Sequence, residues 1–81
     1  IMKYTLLMLI CSLAAGECMP PHPMPDKYNS IYDCLNAGYA ESLNKSQEIG
    51  RQEVNQHKIY IRFICEENEV IIPLPKPKIE T

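Results

Sequence analysis

Cysteines stand at positions 11, 18, 34 and 65 of an 81-residue chain, and no two of them form a CxxC pair. A chain this short buries too little apolar surface for a core alone to hold it, so the fate of these sulfurs constrains every fold open to it. Their spacing fits disulfides in an oxidising compartment better than a zinc site or a thioredoxin-like centre. That reading requires export.

The N-terminus offers a leader for it. In "MKYTLLMLICSLAAG", Lys3 precedes an apolar run of about a dozen residues, long enough for a signal-peptide core and short of the ~18 of a spanning helix. Ala14 and Gly16 supply the small residues a peptidase needs before a cut after Gly16, so residues 1–16 are expected to be a signal peptide. Cutting after Ala15 would put Leu13 where a small residue belongs. Lipidation fits poorly, since Glu17 precedes Cys18 and no small residue precedes Cys11. A membrane enters the picture only if the leader is retained or Cys18 is lipidated; otherwise the protein is expected to be periplasmic or extracellular.

Beyond the cut, "CMPPHPMP" cannot be helical, because proline lacks a backbone donor and pushes its predecessor out of the helical region. Residues 17–25 therefore read as an extended, polyproline-like arm, and residues 75–81 as a second proline-bearing tail. The domain between them, residues 26–74, reads as α+β: one amphipathic helix packed on a two-stranded antiparallel hairpin. Apolar side chains at Tyr28, Ile31, Tyr32, Leu35, Tyr39, Leu43 and Ile49 follow a helical spacing and predict a buried stripe. Asp26, or Ser30 with Asp33, can cap the start; Gly50 can end the helix, and "RQEVNQ" can carry it further. Gly38 inside it costs about 1 kcal/mol relative to alanine and marks a place where another element can lie against the backbone. Next, Ile59, Ile61, Phe63 and Cys65 alternate with Tyr60, Arg62, Ile64 and Glu66, the period of a strand with one buried face. A turn at Glu67-Asn68 would pair Cys65 with Val70, Phe63 with Ile72 and Ile61 with Leu74. Cys34 and Cys65 would then meet, and their disulfide, closing about thirty residues, would contribute roughly 3–4 kcal/mol.

With Cys11 gone in the leader, Cys18 is left over, and an odd cysteine suggests an intermolecular disulfide, such as that of a disulfide-linked homodimer, a modified thiol or a reactive one. Cys18 also stands beside Met19, His22 and Met24, thiol, thioether and imidazole donors of the kind cuprous copper prefers; Met19 and His22 share a face of a polyproline helix. The rival reading of this stretch is a plain tether. No resident cofactor is expected. The chain has no glycine-rich phosphate loop, no HExxH and no enforced Cys-His pair, so an enzyme is not expected. Eight basic and ten acidic side chains, net charge −2, without a basic cluster, argue against nucleic acid. What remains is binding to an envelope or extracellular protein, through exposed strand edges and an apolar patch of Tyr60, Ile64 and Ile71 on the hairpin's outer face.

The combination of "YDCLNAGYAES", "VNQHKIYIRFIC" and an export signal resembles short signal-peptide-bearing proteins carried in marine phage genomes, over most of the chain after residue 16. The resemblance implies no activity and no catalytic residues. It implies a small exported product that acts in the host envelope by interaction, for example by blocking a second infection or aiding lysis. Glu17 before Cys18 and the patterned helix and hairpin depart from the short, proline-rich, lipidated spanin type.

Overall fold

The computed structural model describes residues 2–69. Its centre is a strand where a leader was expected: β1, Met2–Ser12, MKYTLLMLICS. An apolar run of this length suits a strand as well as it suits a leader core, and periodicity alone does not separate the two. Here Leu6, Met8 and Cys11 are buried, together with Thr5. β2 (Glu17–Cys18) and β3 (His22–Tyr28) share one edge of β1, while β4 (Ile59–Glu69) lines the other along its whole length, from Met2↔Glu69 to Ser12↔Ile59. All pairings are antiparallel.

The expected fold of one helix on a two-stranded hairpin is therefore wrong. The described residues form a four-stranded antiparallel sheet and two helices, α1 (Ile31–Ile49) and α2 (Arg51–His57). The expected turn at Glu67-Asn68 does not form, because β4 runs on through those residues to pair with Tyr4 and Lys3 of β1. The apolar inward face of β4 found a partner in β1. The second strand expected over residues 70–74, and with it Ile71 and the tail 75–81, lies outside the described residues. The proline arm is extended, but its backbone is paired rather than free: Pro23 sits opposite Leu7, and a register shift between Thr5 and Leu7 accommodates the stretch around Pro25. Prolines are tolerated there because β3 is an edge strand, with no donor needed on its outer side.

Local chemistry sets the boundaries. The β1–β2 hairpin turns at residues 13–16, where Gly16 takes φ +72° and donates its N–H to the Ser12 carbonyl at 2.8 Å. Ser30 is the N-cap of α1, its Oγ accepting from the Asp33 N–H at 3.1 Å. Gly50, at φ +98°, ends α1 and donates to Ser46, and the chain then re-enters helix for α2.

On the helix side of the sheet, Leu6, Met8 and Cys34 form the core, with Tyr28, Ile61, Phe63 and Cys65 packed against it. α1 presents Cys34 and Gly38 to the sheet. The Phe63 ring lies so close to Gly38 that a methyl group there would overlap it, which is the close approach the glycine suggested. Of the large apolar residues expected to be the buried stripe, Ile31, Tyr32, Leu35, Tyr39 and Leu43 are instead exposed, while Tyr28, expected in the helix, lies in β3 and packs against the core. Small residues won the contact face because the helix backbone lies directly against an aromatic ring.

Candidate functional site

Two disulfides use all four cysteines: Cys34–Cys65 and Cys11–Cys18. The first ties α1 to β4, as its placement on the helix flank and inward strand face suggested. The second corrects the reading of Cys18. Cys11 and Cys18 are direct register partners across the β1–β2 hairpin, 3.9 Å apart at Cα. With its sulfur bonded to Cys11, Cys18 is neither a metal ligand nor the bridge of a homodimer in this structure. Two disulfides in so small a chain fit a non-reducing environment. Among the described residues no helix is long and apolar enough to cross a membrane.

Two surfaces follow from the architecture. The first is the outer edge of β4, which among the described residues pairs only with β1. Above it stands the flank of α1: Tyr39 meets Phe63 of β4 edge-on, with ring centroids 5.0 Å apart. Tyr39 is 66% exposed and Leu43 58% exposed. On the other side of the strand, Tyr60 and Ile64 are exposed too, and alternation puts them on the face away from the helix, since Ile61, Phe63 and Cys65 pack into the core. The edge thus has apolar groups on both sides of its plane. Sequence periodicity found the α1 stripe and misassigned it to the interior.

The second surface is a cleft of about 580 Å³ between the opposite flank of α1 and the β2–β3 edge. Met8, Ile10 and Ile61 line it from the sheet, Met19, His22 and Met24 from the proline-rich edge, and Glu41, Lys45 and Glu48 from the helix. Met8 faces His22 directly in the β1–β3 register, and Met24 packs against the core that contains Met8. The Met19 N–H donates to the Ile10 carbonyl at 2.8 Å, holding the next residue after Cys18 to β1. Of the expected donors, Met19, His22 and Met24 come together and Cys18 leaves; Met8 joins them. Nothing in the sequence marks Met8 as their neighbour, because its apolar run fits a leader core equally well.

Charge around the sites is modest. Lys45 pairs with Glu48 at 3.0 Å on the cleft's helical wall. Burial, followed by the charges of Asp26 and Glu41, raises the Tyr28 phenol above its ordinary 10.0. Burial, then the charge of Glu67 and its hydrogen bond, does the same for Tyr4, whose hydroxyl donates to Glu67 Oε2 at 3.3 Å. Compared with known proteins, the chain matches no family model, no curated protein and no solved structure.

Proposed function

We propose that the protein is a binding module of the periplasm or the cell exterior, which takes an extended segment of an envelope or extracellular protein as an added strand on β4. The observation that carries this is the coincidence of an edge that is unpaired among the described residues with an exposed stripe. An incoming strand would complete its backbone hydrogen bonds on β4, while its alternate side chains pack under Leu35, Tyr39 and Leu43 on one face and beside Ile64 and Tyr60 on the other. Main-chain pairing gives such sites affinity, and the flanking apolar groups give selectivity. Tyrosine suits this place, offering large contact area at low entropic cost. The two disulfides support the compartment, and an interaction in the envelope accords with the phage-protein resemblance.

Photo-crosslinking in exporting cells tests the proposal. A crosslinker at Tyr39 and another at Ile64 should capture neighbouring positions of one partner segment, because the two residues flank opposite faces of the same added strand. Gln52, exposed on α2, is the control. Yields at Tyr39 and Ile64 no greater than at Gln52, or crosslinks to unrelated segments, would refute strand addition.

A further inference from the structure

We propose that the cleft between α1 and the β2–β3 edge binds a soft monovalent metal ion, with Met8, Met19, Met24 and His22 as its donors. These residues come from two strands and a proline-rich connection, and all line one cleft. Met8 lies at the cleft's base, 7% exposed, opposite His22 in the sheet. Directly opposed residues of an antiparallel pair have Cβ atoms about 4.5–5.5 Å apart, so the thioether and imidazole start as neighbours on one face. Met24 is two residues beyond His22 and belongs to the same packed group as Met8. Met19 stands at the mouth, pinned by its backbone bond to Ile10 and by the adjoining Cys11–Cys18 disulfide.

The backbone that carries three of the four donors is stiff. Pro20, Pro21 and Pro23 fix their own φ angles, and the disulfide anchors the start of the segment, so little ordering entropy opposes ligation. Thioethers are soft and uncharged, and with one imidazole they favour cuprous or silver ions over zinc or magnesium, which take harder or anionic donors. Apolar Ile10 and Ile61 keep the remaining lining free of competing ligands on the sheet side.

Silver(I) is the probe, because it needs no reductant. With every cysteine bonded, silver taken up stoichiometrically by the oxidised protein has no thiol to bind. Titration of the full chain followed by native mass spectrometry and methyl NMR should show one ion bound and shifts at the Met8, Met19 and Met24 methyls. Met2, at the far end of β1, is the internal control and should not move. Replacing Met19→Leu and Met24→Leu conserves volume and should keep the fold, while weakening silver binding about ten-fold or more; adding His22→Asn should weaken it further. The proposal is overturned if oxidised protein takes up no silver, if Met2 shifts with the rest, or if the triple variant, with an unchanged circular dichroism spectrum, binds as tightly as the parent.

Discussion

Replacing Gly38 by alanine pits two well-known effects against each other, and the structure says which wins. On an open helix surface the change stabilises by about 1 kcal/mol, because glycine carries the larger backbone entropy. Here the new methyl would overlap three atoms of the Phe63 ring. That ring has little room to retreat, with Tyr39 edge-on at 5.0 Å and its own strand bound along β1. Overpacking of this kind costs about 1–3 kcal/mol, and contact with a ring wedged against backbone belongs at the upper end. The net expectation is a loss of about 2 kcal/mol, or about 8–16 °C in Tm for a domain of this size. Urea unfolding of the oxidised protein measures it. A Phe63→Leu background makes the measurement decisive: without the ring, Gly38→Ala should become stabilising by about 1 kcal/mol. A variant as stable as the parent with Phe63 present, or equally destabilised in both backgrounds, would refute the close-approach reasoning.

Other perturbations have equally definite outcomes. Loss of the Cys34–Cys65 bond, which spans 31 positions, should cost more than loss of Cys11–Cys18, which spans 7; the chain-entropy relation gives about 4 against about 2 kcal/mol, and the reverse order in urea midpoints of paired Cys→Ala variants would contradict it. Among the described residues the buried Ser42 hydroxyl has no hydrogen-bond partner, so Ser42→Ala should raise stability by about 1 kcal/mol, and a lowered midpoint would show an unseen partner. Because Tyr4 and Tyr28 are held above 10.0, the native state keeps their protons longer than the unfolded chain does. Their contribution is whole below pH 10.0 and falls as pH rises from there through the raised values; Tyr4→Phe with Tyr28→Phe should flatten that alkaline slope, and an unchanged slope would count against it. Finally, a chain beginning at Glu17 lacks β1 and should show no dispersed NMR spectrum, whereas native-like dispersion would remove β1 from the centre of the fold.

Much of the local structure could be read from residues alone. Ser30 with Asp33 marked a helix start, though the other start offered, Asp26, lies in β3; Gly50 marked a stop and Gly38 a close approach, because each depends on backbone chemistry within a few residues. The alternation of Ile59 to Cys65 identified the buried face of β4 for the same reason. Two things could not be read. Helical periodicity shows that Tyr32, Leu35, Tyr39 and Leu43 share a face, but not whether that face or the small-residue face of Cys34 and Gly38 meets the sheet. Only the depth of the Phe63 ring decides it. The other was the place of β1, whose apolar run fits a leader core and a central strand alike. Assigning it to a leader removed Cys11 from the pairing, Met8 from the cleft and the central partner from β4.

That single strand also explains how one small sheet can carry two separate surfaces. β1 gives one edge to β3 and the other to β4, and its helix-facing residues Leu6 and Met8 support α1 from below. The cleft depends on Met8 facing His22 across the first pairing; the β4 edge that is free among the described residues depends on β4 being held to β1 by the second. A substitution that breaks pairing on one side, such as a proline within β3 opposite Thr5, would leave the β4 ladder intact, so metal uptake and strand capture should be separable by mutation. Loss of β1 would abolish both together. Cleavage after Gly16 and the binding activities proposed here are therefore competing states of the same chain, and the intact mass of the protein recovered from an exporting cell, read beside its silver uptake, distinguishes them: silver bound by a chain starting at Glu17 would require a site built without Met8.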